Sequence, residues 1–190
     1  MALRGTTAAG LGVLLSTASA FAGPPGRELR PGDQAPPFVL EDASGSRHAL
    51  AGLKGLHVIL LFGHRNVRRE NQQWAEAFQA RYGRTPSVRI FMIGDMRGVP
   101  VFVPRSLIKD RARATRPPVP LLLDWGQKVN TLFGVDPRRI DIFVVEPSGA
   151  IALRHRAEGF TDADFAALIA RLDPVLSSAD RSGFAAAATP

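Results

Sequence analysis

The chain has 190 residues, a formal charge of +7 from 24 basic against 17 acidic residues, and no cysteine. Lacking a thiolate, it has no peroxidatic or disulfide-exchange chemistry and no cysteine-ligated metal, and its stability must come from its core. The basic balance is nearly all arginine, with Lys54, Lys109 and Lys128 the only lysines; it suits acidic partners, whereas the absence of a basic ribbon interleaved with aromatics argues against nucleic acid.

Met1 to Thr7 carries Arg4 and no acid, and an apolar, small-residue stretch follows from Ala8 to Ala20. Ala20-Phe21-Ala22 then reads as a small-x-small cleavage site ahead of Gly23-Pro24-Pro25. This is the three-part pattern of a secretory signal peptide. The stretch is too short and too interrupted to span a bilayer, which takes about 20 apolar residues. The expectation is a periplasmic or secreted protein cleaved after Ala22, with no lipoprotein anchor and no transmembrane segment after cleavage. Residues 23–176 are expected to form one domain, and 177–190, rich in small residues, a disordered tail.

Residues 23–37, rich in proline, glycine and charge, read as an extended lead-in. Short strands are predicted at Phe38 to Leu40 and Arg47 to Leu50, with a turn at Asp42-Ala43-Ser44-Gly45. Val58-Ile59-Leu60-Leu61-Phe62 is an uninterrupted apolar run that suits a central strand buried on both faces. A helix follows from about Val67 to Tyr82, capped by Asn66, with Val67, Trp74, Phe78 and Tyr82 on one apolar face. Arg89 to Ile93 reads as a second buried strand, and Gly94 to Phe102 as irregular. A weaker basic helix is predicted from Pro104 to Ala114. Leu121 to Leu123 is a third strand ending at Asp124, and Gln127 to Phe133 a short helix. Ile140 to Val145 is the fourth central strand, turning at Glu146-Pro147-Ser148-Gly149 into a partner at Ala150 to His155. The last helix opens on a Thr161/Asp164 capping box with Phe160 stapled to Phe165, and Pro174 follows its end. Alternation of this kind builds an α/β sandwich closed by a hairpin and a helix.

Three segments resemble the redoxin group of the thioredoxin superfamily, the alkyl-hydroperoxide-reductase/thiol-specific-antioxidant and TlpA-like proteins. They are Pro31 to Leu40, Leu50 to Phe62, and Pro120 to Gly149 with its Leu132-Phe133-Gly134-Val135 and Ile142 to Val145 runs. The resemblance implies a thioredoxin-like three-layer α/β/α sandwich with a central mixed sheet and a C-terminal β-hairpin plus helix. In that group the strand now ending at Phe62 runs into a nucleophilic cysteine at the next helix. Here the loop reads Gly63-His64-Arg65-Asn66-Val67-Arg68-Arg69-Glu70, without cysteine, serine or threonine. Where TlpA-like members place a cis-proline and peroxiredoxins an arginine, this chain has Ile140, with Arg139 one position early. Val101 to Leu107 and Gly63 to Asn71 look more like the cysteine-less periplasmic YtfJ-type family, which implies fold and compartment but no chemistry.

His64, Arg65, Asn66, Arg68 and Arg69 crowd the start of the first helix, and the resemblance implies that Arg139 falls near them. Free N–H groups, the helix dipole and guanidinium groups together make a candidate anion site. The competing reading is a solvated loop whose arginines pair with nearby acids. His64 alone could act as a base or ligand, yet His48, His57, His64 and His155 show no metal-binding spacing. Asp95 could reach it only through folding. Asp124 and Glu146 end strands expected to run parallel, where α/β folds hold sites, and turn chemistry explains both equally.

Two readings follow. The first is a non-catalytic binding or accessory module, needing no cofactor, that holds an exported protein or an anionic envelope ligand on the surface of residues 63–70 and 136–140. The second is an enzyme with non-thiol chemistry, assisted by His64 or a metal. The resemblance by itself implies a peroxiredoxin-like oxidoreductase, a label that the missing thiol does not support.

Overall fold

The computed structural model describes residues 28–186. The expected signal segment 1–22 lies outside them, as do 187–190 and the side chains of Arg65 and residues 178–186. Three parallel strands form the centre: β3 (His57–Gly63), β4 (Val88–Asp95) and β5 (Leu121–Asp124). Every residue of β3 but Gly63 is buried, as its unbroken apolar run requires. The hairpin of β6 (Ile140–Val145) and β7 (Ile151–Ala157) joins β3 antiparallel. On the other edge β1 (Val39–Asp42) pairs antiparallel with β5 and carries β2 (Arg47–Ala49). The seven strands lie in the order β2-β1-β5-β4-β3-β6-β7.

Helices α1 (Arg68–Tyr82) and α4 (Asp162–Ala186) cover one face. Trp74 and Phe78, both fully buried, anchor α1 there. The Trp74 ring lies 5.2 Å from Phe160 and 5.8 Å from Phe165, and its Nε1 donates to Gly159 O at 2.9 Å. Burying such side chains contributes about 1.5–3 kcal/mol each. The opposite face is closed by a 3-10 turn at Leu50–Leu53 and by α3 (Lys128–Leu132). Phe62, Phe133 and Phe143 interlock there, Phe133 standing 4.9 Å from Phe62 and 5.1 Å from Phe143. Helix α2 (Arg105–Ala114) has no buried residue. The result is the expected three-layer arrangement around a mixed sheet.

Three expectations are corrected. Asn66 does not cap α1: a 3-10 turn at Arg65–Val67 precedes the helix, and His64 Nδ1 accepts from Asn66 N at 3.4 Å. Strand β6 runs antiparallel to β3, so Glu146 lies at the end of the sheet opposite Asp124. Helix α4 does not stop before Pro174 but continues through 177–186, the start of the expected tail, to Ala186. Pro174 lacks an N–H for the helix ladder, but Leu172 and Leu176 on either side of it are both buried in the core. Ser177 Oγ also donates to Asp173 O at 2.8 Å. The capping box forms as expected, with Asp164 N donating to Thr161 Oγ1 at 3.1 Å.

Candidate functional site: a guanidinium-rimmed cavity at the sheet end

The parallel strands end together, with Gly63 beside Gly94 and Asp95 beside Asp124. Beyond this end, between α1 and α2, lies a cavity of about 310 Å³, at the small end of the roughly 300–1,000 Å³ range of ligand pockets. Its lining mixes Met92, Leu121, Leu123 and Ile108 with His64, Arg68, Asn71, Asp95, Arg97 and Arg111. The apolar part continues the core on the α1 face, to which Met92 belongs and against which Leu121 packs.

Most polar groups here are already committed. Asp95 is buried; its Oδ1 accepts from Arg97 N at 2.8 Å and its Oδ2 is ion-paired with the Arg97 guanidinium. Thr115 Oγ1 donates to Ala112 O at 2.6 Å, and Gln72 Nε2 to Glu76 Oε1 at 2.9 Å. Three groups are not committed. Arg68 and Arg111 are exposed and have no carboxylate partner among the described residues. Asn71 is only 4% exposed, and its Oδ1 accepts no hydrogen bond there. With the Asp95 charge matched by Arg97, the two unpaired guanidinium groups make the cavity cationic.

Of the six residues proposed from sequence, His64 and Arg68 line this cavity. Asn66 and Arg69 are exposed and outside its lining, and Arg69 has no acid partner among the described residues. The side chain of Arg65 lies outside the described set. Arg139 is elsewhere along the same sheet end, its Nη2 3.3 Å from Glu158 Oε1. Nearby, Asp136 is held below the ordinary carboxylate range, first by the Arg138 backbone N–H at 2.9 Å and then by its guanidinium. Asp124 is buried and caps the start of α3, accepting from Asn130 N at 2.9 Å and Asn130 Nδ2 at 2.8 Å. Turn chemistry, not a site, accounts for it.

Sequence reasoning missed Asn71, Arg97 and Arg111. A signal for Asn71 was present: it falls on the α1 stripe of Val67, Trp74 and Phe78, a polar residue at a core position. His64 has no ion-paired acid, and no three His, Asp or Glu side chains cluster as a metal donor set among the described residues. A larger concavity of about 690 Å³ lies between β1 and α3 on the face opposite α1, away from His64 and Arg68.

No family model and no curated protein matches the chain. Solved structures do. A provisionally named thiol:disulfide interchange protein DsbE from Chlorobium tepidum superposes with a TM-score of 0.61 at 22% identity, over 78% of this chain and 99% of that one. Thiol peroxidase from Chromobacterium violaceum gives 0.54 at 17%, over 78% and 90%. The exposed lipoprotein thioredoxin of Streptococcus pneumoniae gives 0.53 at 18%, over 72% and 98%. At these identities the likeness establishes the fold, which is thioredoxin-like with redoxin proteins among its structural neighbours.

Proposed function

We propose that this thioredoxin-like chain is an exported, non-catalytic binding or accessory module that holds an anionic group where redoxin relatives carry their thiol. One observation carries the reading: His64 and Arg68, from the loop that replaces the thiol motif, open onto a cavity whose rim bears two guanidinium groups without acid partners among the described residues. Guanidinium groups beside the free N–H groups of a helix start attract carboxylates and phosphates. A chain without cysteine has no route to thiol-based peroxide reduction or disulfide exchange. Export is supported by the signal pattern of residues 1–22, and the likeness of 63–71 and 101–107 to YtfJ-type proteins fits a periplasmic setting. Two arginines at the first positions of α1 oppose the helix dipole at about 0.3–1 kcal/mol each; a bound anion reverses that cost.

The test is thermal unfolding of the purified protein at low salt with phosphate, acetate, acidic peptides and polyphosphate, beside Arg68→Ala and Arg111→Ala. A ligand at about 100 times its Kd stabilises the fold by about 2.7 kcal/mol. The expected result is a midpoint rise that both substitutions reduce. Equal midpoints with and without every anion, or turnover of peroxide or a dithiol by the purified protein, would overturn the reading.

A further inference from the structure

Resting on that reading, we infer that the cavity takes a small amphiphilic anion: one anionic head held at the rim, on a short hydrocarbon tail that lies inside. Two features of different chemistry meet in this one cavity. Its rim carries Arg68 from α1 and Arg111 from α2, both exposed and neither with an acid partner among the described residues. Its interior presents Met92 of β4, Leu121 and Leu123 of β5 and Ile108 of α2, which are hydrocarbon and sulfur. A phosphate or acetate ion satisfies the rim and leaves that surface to water, whereas an uncharged hydrocarbon does the reverse. A head joined to a tail satisfies both.

The polar side chains of the lining ask little of such a tail. Asp95 is ion-paired with Arg97, so its charge does not repel an incoming anion. Thr115 Oγ1 and Gln72 Nε2 donate within the protein, to Ala112 O and Glu76 Oε1. Asn71 Oδ1 has essentially no accessible surface and makes no demand on a ligand. An apolar tail therefore strips water from these groups without leaving them unpaired. Size sets its length: a cavity of about 310 Å³ holds roughly ten groups of about 30 Å³, the share of one water in the liquid, which limits the tail to about ten carbons.

The experiment is calorimetric titration of the full chain at low salt with straight-chain carboxylates from acetate to dodecanoate, beside octyl phosphate, octan-1-ol and inorganic phosphate. Each methylene taken into the cavity is expected to tighten binding about fourfold, and the gain should level off by about ten carbons. Octan-1-ol, which lacks the charge, should bind about tenfold more weakly than octanoate. Arg111→Ala, on a helix with no buried residue, should weaken every carboxylate about tenfold and leave the gain per methylene unchanged. Ala112→Phe adds bulk to the lining from the same helix and should make the levelling come at a shorter chain. Octanoate binding more tightly than octyl phosphate identifies a carboxylate head, and the reverse identifies a phosphate head. If affinity does not rise with chain length, the inference fails while the anion site stands. If the gain continues to dodecanoate and Ala112→Phe leaves it unchanged, the tail lies outside this cavity and the inference fails. If octan-1-ol matches octanoate, or if nothing binds, the anion site fails with it. Should Ala112→Phe not fold, the chain-length series on the unaltered protein decides.

Discussion

Replacing Gly63 by alanine tests the packing that holds Asn71 in place. An ideal Cβ at Gly63 lies 2.5 Å from Asn71 Nδ2, 2.7 Å from its Cγ and 3.1 Å from its Cβ. Rotating the amide relieves the first two approaches but not the third, because Cβ is fixed to α1. Either the helix shifts over β3 or Asn71 leaves its position, an overpacking cost of about 1–3 kcal/mol. Gly63 is not in the left-handed region, so its backbone accepts alanine. Alanine also gains roughly 0.5–1 kcal/mol over glycine in a strand, leaving a net loss of about 1 kcal/mol at mid-range and at most about 2.5 kcal/mol. Urea unfolding reads this as a lower midpoint at unchanged slope. In an Asn71→Ala background the two amide approaches are gone and only the 3.1 Å approach to the Cβ of position 71 remains, so Gly63→Ala is expected to cost less than in the native chain by about 1 kcal/mol. An equal cost in both backgrounds, or no cost in the first, would refute the packing argument.

Asp141→Asn should destabilise by about 3 kcal/mol. Asp141 is fully buried and its Oδ1 accepts from Arg154 Nη2 at 2.8 Å and from Nε of Arg154 and Arg156 at 3.1 Å; a urea midpoint change worth under about 1 kcal/mol would contradict that role. Asp42 should contribute to acid stability. Burial acts to raise its carboxyl, but hydrogen bonds from Ser44, His48 and Ser46 prevail and bring it to about 2 from 3.8. A carboxyl lowered by folding stabilises fully above its unfolded value and loses that contribution as pH falls through the folded one. The stability gap between the native chain and Asp42→Asn should therefore shrink by about 1–2 kcal/mol between pH 5 and pH 2. A gap independent of pH would remove Asp42 from the acid response.

The fold was legible because its signals were local and strong. The uninterrupted run of β3, the Trp74/Phe78 stripe of α1 and the Thr161 cap each need one element in one place, and each appears there. Strand direction was harder. A buried antiparallel strand such as β6 carries the same continuous apolar pattern as a parallel one, so Glu146 was placed at the wrong end of the sheet. Pro174 misled because a local breaker was weighed without the core contacts of Leu172 and Leu176. The site was half legible: His64 and Arg68 lie in the loop where the thiol was missing. Arg111 enters from α2, more than 40 positions along, and only the crossover that seats α2 beside β5 brings it to the same cavity. Arg139 reached the expected sheet end but is engaged by Glu158.

The most direct test of the central claim is an NMR titration of the labelled protein with acetate and with phosphate at low salt, following side-chain as well as backbone N–H signals. The account predicts saturable shifts at the Nε–H groups of Arg68 and Arg111, with Arg139, engaged by Glu158, unmoved. Shifts centred on Arg139, or small unsaturable shifts spread over the exposed arginines, would show charge screening in place of a site and contradict it.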